Sequence, residues 1–316
     1  MARAYGWDSV LSFCFESTYG TAPSDGYIRL PFISCDIGAE QGLLPDDVLG
    51  LGRDPQAPIV DLVRVSGSIV VPLDNNNIGY WIKLALGAPA STGAGPYVHT
   101  FTSGVTTQVS ATIDIYQSQV PHASKIVGLV VNSFSIGLSR TGKPVMTLQC
   151  TGKNETVGTS VVDATPVTAL TLTRFTQAQG SLTWDGSALS NIISASMDFD
   201  NGIELVEAIP ATADALITAA DWGMCKLNGS ITQRFGDSTL LDDAIAQTVR
   251  DLKLAWTIDS THLVSFEGQS VYAQRSKRTV NGPGGVEVQY PWIGAKDASE
   301  GEMLEVILKT GTATYT

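Results

Sequence analysis

The sequence has few of the residues that carry out catalysis or bind metals. Its 316 residues include three histidines and four cysteines, and the cysteines form neither a C-x-x-C pair nor a metal-ligand spacing. No H-E-x-x-H, G-x-S-x-G, Walker or Rossmann glycine pattern occurs. These absences predict a chain that is not an enzyme and needs no cofactor or metal. The unpaired cysteines indicate free thiols in a reducing compartment.

Charged residues are also scarce, at 16% of the chain compared with roughly 25% in typical soluble domains. The net charge of −12 argues against a protein that grips nucleic-acid phosphates. No apolar run reaches the length of a membrane span, and the first residues, MARAYGWDSV, lack the apolar core of a signal peptide. We therefore expect a protein that is made in a cytoplasm and does not act at a membrane.

What the sequence has in abundance is the alternation of apolar and polar residues. NSFSIGLS (132–139) and RDLKLAWTID (250–259) both place apolar side chains at every second position. This period predicts strands with one buried and one wetter face, and hence a mainly β chain. Two stretches instead have helical spacing, which predicts helices at 76–86 and 238–249, the first ended by Gly87.

A strand followed by a turn and a helix occurs twice. The first copy begins at Gly67 and the second at Gly229, which lies 162 residues later, close to half the chain length. The same offset without a gap places Asp36 on Asp198. We interpret this as an internal duplication that divides the chain into residues 1–157 and 169–316, joined by a linker at 158–168.

The two matched aspartates lie in short alternating stretches, SCDI (34–37) and SMDFD (196–200). Their apolar residues, Cys35, Ile37, Met197 and Phe199, should point into the core. Because strand side chains alternate, the residues between them should share the opposite face. This polar set consists of Ser34, Asp36, Ser196, Asp198 and Asp200.

Each half also carries a long insertion, at roughly 38–58 and 200–223. Loops of this length in compact domains are usually functional or disordered, and these are too rich in Leu, Ile and Ala for disorder. We interpret them as arms that fold against another subunit. The apolar residues expected to make those contacts are Leu43, Leu44, Val48, Leu49, Ile209, Leu216 and Ile217.

An ordered series of sequence blocks resembles the tail tube proteins of bacteriophages with long, non-contractile tails. In the first half the blocks are FESTYGTAP (15–23), GSIVVPLDNNNIGYWIKLALGAP (67–89), GPYVHTFTSG (95–104) and LQCTGKNETV (148–157). In the second half they are GSLTWDGSALSNIISASMDFDNGIE (180–204) and NGSITQRFGDSTLLDDA (228–244). The resemblance covers almost the whole chain.

The resemblance implies a mainly β fold of two tandem tail-tube-type β-sandwich domains, each with one flanking α-helix. Copies would assemble into rings whose inner sheets form a β-barrel lumen, with three two-domain chains in each pseudo-hexameric ring. Stacked rings would form the tail tube through which double-stranded DNA is ejected. The polar set would then line the lumen, and the arms would bridge successive rings.

The resemblance also implies partners and a location. The partners would be further copies of the chain, the tape measure protein, and the tail terminator and distal tail proteins. The chain would reside in the virion tail after assembly in the cytoplasm of the bacterial host. The sequence leaves three alternatives open: the tube protein of a gene transfer agent or a tailocin, a tail terminator and, more remotely, a carbohydrate-binding β-sandwich.

Overall fold

A computed structural model of the chain describes residues 3–107, 109–208, 216–280 and 282–316. The strands of the first half are β1 (Ser9–Phe15), β2 (Ile28–Arg29), β3 (Ser34–Cys35), β4 (Gly38–Asp46), β5 (Gln56–Pro72), β6 (Ala90–Thr92), β7 (Tyr97–Thr102), β8 (Ala111–Gln117), β9 (His122–Ser139), β10 (Val145–Gly152) and β11 (Asn154–Gly158). Those of the second half are β12 (Gly180–Trp184), β13 (Ser187–Ala188), β14 (Ile192–Asp200), β15 (Ile203–Val206), β16 (Ala219–Trp222), β17 (Lys226–Arg234), β18 (Arg250–Asp259), β19 (His262–Ala273), β20 (Glu287–Ala295) and β21 (Leu304–Thr310). The prediction of a mainly β chain is confirmed.

The two α-helices among the described residues lie where the sequence places them. Helix α1 (Ile78–Leu86) ends at Gly87, whose φ of 88° is readily adopted only by glycine, and whose N–H bonds the Lys83 carbonyl. Helix α2 (Thr239–Ala246) ends at Gln247 in a left-handed conformation. Helix α1 is buried on nearly every side because it packs against β9 and β7, with Trp81 against Phe13.

The strand order of the first half is repeated in the second. In the first half the order is β1, β8, β9, β10, β5 and then β3 with β4, and all these pairs are antiparallel. In the second half it is β12, β18, β19, β20, β17 and then β14, also antiparallel. In addition, β11 pairs with the first part of β9, and in the same way β21 pairs with the first part of β19. The counterpart of β10 is therefore β20.

The two halves are joined by strand pairing and by a shared core. The end of β9 pairs with β14, and β21 pairs with β7. Apolar side chains of both halves form one continuous cluster, in which Phe134 of β9 contacts Phe199 of β14 and Phe266 of β19. The arrangement is sandwich-like, because β9 and β19 each begin beside one set of strands and end beside another.

The segment between β11 and β12 lies along the first half and is held there by hydrogen bonds. The Val167 N–H donates to the Tyr27 carbonyl at 2.7 Å, and the Phe175 N–H donates to the Leu73 carbonyl at 3.1 Å. The predicted linker at 158–168 falls within this tethered segment. The proposed boundaries at 157 and 169 stay a prediction.

The register of the strands corrects one sequence match. Gly67 and Gly229 do occupy corresponding positions, because each lies opposite a core residue of the neighbouring strand, Cys150 and Trp292 respectively. Asp36, however, lies opposite Ser68 on the neighbouring strand. In the second half Ser68 corresponds to Ser230, and the residue opposite Ser230 is Ser196. Asp36 therefore corresponds to Ser196 rather than Asp198. The prediction that the two aspartates occupy equivalent positions is wrong by two residues.

The same register identifies the acidic position that does repeat. Glu40 of β4 lies opposite Arg64, and Asp200 of β14 lies opposite Lys226. Asp198 lies opposite Asn228, and Gly38 lies opposite Ser66. Because Asn228 and Ser66 are corresponding residues, Asp198 corresponds to Gly38. The corresponding stretches are thus 34–40 and 194–200.

Candidate assembly surfaces

One face of the central sheet is polar over most of its width, although Pro291 and Ile293 of β20 also lie on it. The sheet runs through β3, β5, β10, β9, β14, β17 and β20, and therefore through both halves of the chain. In β14, Ala195, Met197 and Phe199 are buried, while Ser196, Asp198 and Asp200 are partly exposed on the other side. The predicted alternation of apolar and polar residues on this strand is confirmed. We refer to the partly exposed side of this sheet as the polar face.

Cross-strand register shows which side chains share the polar face with Asp198. Its neighbours on the two adjacent strands are Ser135 and Asn228, and the next row contains Ser196, Gly137 and Ser230. The hydroxyls of Ser196 and Ser230 lie 3.3 Å apart. Hydroxyl and amide side chains dominate the remainder of the face, which includes Ser66, Ser68, Thr147, Gln149, Ser133 and Thr232.

The acidic residues of the polar face differ in their surroundings. Burial raises the pKa of Asp198 above the ordinary aspartate range. Asp200 accepts a hydrogen bond from the Gly202 N–H at 2.8 Å. Asp36 is exposed, and its carboxylate accepts a hydrogen bond from the Ser68 N–H on the neighbouring strand. Among the ion pairs of the described residues, none involves Asp36, Asp198 or Asp200.

The first insertion forms a long two-stranded ribbon instead of the predicted loop. Strand β4 pairs with the first part of β5 from Gly38 opposite Ser66 to Asp46 opposite Gln56. We call residues 38–66 the arm. Leu43, Leu44, Val48 and Leu49 are all exposed on it, as the sequence predicts, and Leu49 is 94% exposed. Three further apolar residues of the arm are exposed although the sequence analysis does not single them out, namely Leu51, Ile59 and Val60.

The second insertion contains the short hairpin of β15 and β16, and only part of the prediction for it is confirmed. Leu216 is partly exposed. Ile217 is fully buried, so its prediction as an exposed contact residue is wrong; its side chain is covered within the chain itself. Ile209 lies outside the described residues. The two insertions emerge at the same end, because Arg64 of the arm donates to the Glu207 carboxylate at 2.8 Å.

Comparison with known families agrees with these features. The family model for phage tail tube proteins matches residues 6–294, which is most of the chain. The chain belongs to this family. No curated protein matches it. The tail tube protein is thus a structural component of a phage tail, and its family implies self-assembly into a tube.

In the tail tube protein, the polar face and the arm are two surfaces that remain exposed after the core is formed. The polar face is a sheet surface without large apolar side chains at its centre, which makes it suited to water rather than to packing. The arm has the opposite character, since its exposed leucines form an apolar surface of the kind that marks protein–protein contacts.

The described part of the tail tube protein offers no other obvious site. No group of three or more His, Cys, Asp or Glu side chains there is arranged to hold a metal ion. The described helices include none that is long and apolar enough to cross a membrane. The buried His99 is enclosed by hydrogen bonds, with Ser91 at 2.7 Å and the Thr312 carbonyl at 2.9 Å.

Proposed function

We propose that three copies of the chain close into a ring of six tube modules, and that stacked rings form the tail tube of a siphophage. Each chain would contribute one module from residues 1–157 and one from residues 169–316, joined through 158–168. The central sheets would together form a barrel whose inner wall is the polar face. Ser34, Asp36, Ser196, Asp198 and Asp200 would lie on that wall.

The observation that carries this proposal is the continuity of the polar face across both halves. A sheet with one apolar and one polar face normally turns its polar face to water, either outside the molecule or in a channel. Here the sheet already joins two repeats of the same strand order through β9 and β14. Closing such repeats around an axis leaves no exposed strand edges, which otherwise promote aggregation.

The chemistry of the polar face suits the passage of DNA. Phosphates bind to clusters of Lys and Arg, whereas this face presents mainly hydroxyl, amide and carboxylate groups, with Lys226 and Arg234 only at the two ends of β17. Three chains of −12 each would give a ring with a net charge of −36. A wall of this kind repels the DNA backbone weakly and offers few sites at which the duplex could stick. The same lumen would hold the tape measure protein before ejection.

The arm would make the contacts between successive rings. It extends beyond the core as a ribbon with exposed leucines, and it lies beside the second insertion through the Arg64–Glu207 pair. At the ends of the tube, terminator and distal tail proteins would take the place of a neighbouring ring. Assembly would occur in the host cytoplasm, before the tail joins the virion.

The lumen assignment is tested by placing positive charge on the polar face. In phage supplied with the double variant Asp198→Lys and Asp200→Lys, we expect tubes of normal appearance and slower or stalled DNA ejection, because lysines would bind passing phosphates. The matched control is Ser181→Lys with Thr257→Lys, two exposed positions on β12 and β18. Intact tubes that eject DNA at the normal rate in the first variant would contradict the assignment.

A further inference from the structure

The chain contains one joint between its two halves that can serve as the template for a joint between copies. In this joint β9 and β14 are antiparallel from Ser133 opposite Asp200 to Ser139 opposite Ser194. Hydroxyl side chains of one strand thus face carboxylates of the other. Because the strand order is repeated, each strand of this joint has a counterpart in the other half. The counterpart of β9 is β19 together with the residues that follow it. The counterpart of β14 is the pair of short strands β3 and β4.

In the single chain the counterpart of β14 has a free edge, and the counterpart of the end of β9 forms no strand. Among the described residues, β5 is the only strand that pairs with β3 and β4. On the free side, the Ala39 N–H is held by the Glu155 carboxylate at 2.6 Å. Residues 274–280 after β19 form no strand, although the Gln274 N–H still bonds the Pro291 carbonyl at 2.7 Å and continues the ladder by one step.

The register of the template fixes which residues would meet. Thr151 of β10 corresponds to Ile293 of β20. Thr151 pairs with Val130 of β9 and Ile293 pairs with Tyr272 of β19, so Val130 and Tyr272 also correspond. In β9 a bulge follows at residue 132. If the same bulge is placed at Gln274, Arg275 corresponds to Ser133 and Lys277 to Ser135. Arg275 would then lie opposite Glu40, and Lys277 opposite Gly38.

The charges of the two segments, residues 274–280 and residues 34–40, are complementary. The segment QRSKRTV (274–280) carries Arg275, Lys277 and Arg278, a concentrated positive stretch in a chain with 19 basic residues. The edge it would meet carries Asp36 and Glu40, both exposed. In the template register Lys277 lies between these two acids. Opposite charges on neighbouring strands stabilise a pairing, and like charges destabilise it.

We propose that residues 274–280 of one copy become a strand that pairs with residues 34–40 of the next copy, in the register of the β9–β14 joint. The inference rests on the proposed ring, and it specifies how the ring closes. In this joint Arg275 faces Glu40, and Lys277 contacts Asp36 and Glu40 on either side of Gly38. The Glu155 carboxylate releases the Ala39 N–H when the new strand arrives.

A disulfide tests the register. Gly38→Cys has room, because the nearest atom to a Cβ added at this position would be a Glu155 carboxylate oxygen at 3.7 Å. Under mild oxidation of assembled rings, Gly38→Cys with Lys277→Cys should give a ladder of covalent species that ends at three chains. The matched control, Ser135→Cys with Asp198→Cys, links the template joint and should leave the chain at monomer size. A variant that carries only one of the two added cysteines should give no ladder, which also shows that the four native cysteines do not cross-link the copies.

The outcomes separate the joint from the proposed function. Rings that form without cross-linking at 38 and 277, or that cross-link instead through Asp36→Cys and Arg278→Cys, would overturn the register while leaving the ring intact. A parent chain that forms no rings at all would overturn the proposed function itself. A ladder that ends at six chains would support the joint and contradict the ring of three.

Charge reversal provides a second readout that does not depend on cysteine. Lys277→Glu should raise the protein concentration needed for ring formation by about tenfold or more at low salt, because it faces two acids. Adding Asp36→Lys to this variant should restore most of the loss, because in the template register Asp36 lies opposite the uncharged Thr279. Failure of the double variant to recover, with both single variants folded, would contradict the proposed pairing. Ring formation by the parent should also weaken as salt is added.

Discussion

At Gly229 two strands of the central sheet approach so closely that a side chain has no room. A Cβ at this position would lie 2.1 Å from the Ser196 carbonyl oxygen and 2.6 Å from the Trp292 ring. The corresponding Gly67 has the same restriction, since a Cβ there would lie 2.7 Å from the Asp36 carbonyl oxygen. Glycine is therefore required at both positions by the neighbouring strand.

We expect Gly229→Ala to destabilise the chain by about 2 kcal/mol or more, because backbone and a buried tryptophan would both have to move. The measurement is chemical denaturation of the unassembled protein. Gly158→Ala is the control, since a Cβ at Gly158 meets no atom within 4 Å. Its effect should stay within about 0.5 kcal/mol. Equal effects of the two substitutions would contradict the close approach at Gly229.

Asp198 gives a prediction of pH dependence. Burial raises the pKa of Asp198, so folding favours its protonated form. Its contribution to stability is therefore fully present below the unfolded pKa and is lost as the pH rises through the folded pKa. Asp198→Asn should be more stable than the parent at pH 7, and the difference should disappear near pH 3. The measurement is thermal unfolding at both values of pH.

Asp259 serves as the control of opposite sign for this experiment. Hydrogen bonds from Thr261, and a further one with His262, lower the pKa of Asp259. Its contribution to stability is present above the unfolded pKa and is lost as the pH falls through the folded pKa. Asp259→Asn should thus destabilise the protein at pH 7. If both substitutions lower the melting temperature at pH 7, the assignment for Asp198 is wrong.

At the scale of elements, helix α2 is anchored by a single buried carboxylate. Asp243 accepts a hydrogen bond from the Trp184 indole N–H at 2.7 Å, and the Arg250 guanidinium lies 3.3 Å from it. Asp243→Ala would leave both donors without this partner. We expect a loss of about 2–4 kcal/mol in the free energy of unfolding.

The neighbouring Asp242 provides a control for Asp243 on the same helix. Its side chain is exposed and accepts a hydrogen bond from the Ser238 hydroxyl. Asp242→Ala should cost less than about 1 kcal/mol, mainly through the lost interaction with the helix N-terminus. A larger loss from Asp242→Ala than from Asp243→Ala would contradict the anchoring role.

The arm gives a prediction about assembly that is separate from folding. Replacing residues 42–62 by Asn-Gly would close a two-residue hairpin between Gln41 and Val63, which already lie opposite each other. The exposed leucines would be lost while the core is retained. We expect folded rings that no longer stack, as seen by negative-stain microscopy. The double control Val157→Ser with Leu172→Ser removes two exposed apolar side chains elsewhere and should leave tubes unchanged.

The sequence predicts local elements better than their partners. The helix at 78–86 could be predicted because its spacing and Gly87 lie within one short stretch. The sequence of the arm resembles a loop because Pro45, Gly50 and Gly52 interrupt the alternation of apolar and polar residues. The apolar-rich residues from Ile59 to Val65, just before Gly67, nevertheless indicate a strand. Ile217 is fully buried, although its stretch of sequence predicts an exposed contact residue.

The register between the halves shows a physical limit of pattern analysis. Side chains of a strand alternate with a period of two, so a shift of two residues keeps every apolar residue on the same face. The ungapped match of Asp36 to Asp198 is therefore as consistent with the pattern as the observed match to Ser196. Only the pairing of each strand with its neighbour distinguishes them.

At the scale of the whole molecule, two repeats form one sheet whose polar face, in the proposed ring, becomes the wall of a channel. The sheet is continuous through β9 and β14, and β21 closes the second half onto β7 of the first. Because the two halves share one core, the chain should enter the ring as a rigid pair of modules. This favours three chains in a ring of six modules.

The most direct test is a cryo-electron microscopy reconstruction of tubes assembled from the purified chain. We predict three chains per ring, six copies of the tube module around the channel, and the side chains of Ser135 and Asp198 on the channel wall. A ring of six whole chains would contradict the count of modules. A map that places Asp198 and Ser135 on the outer surface of the tube would contradict the assignment of the polar face to the lumen.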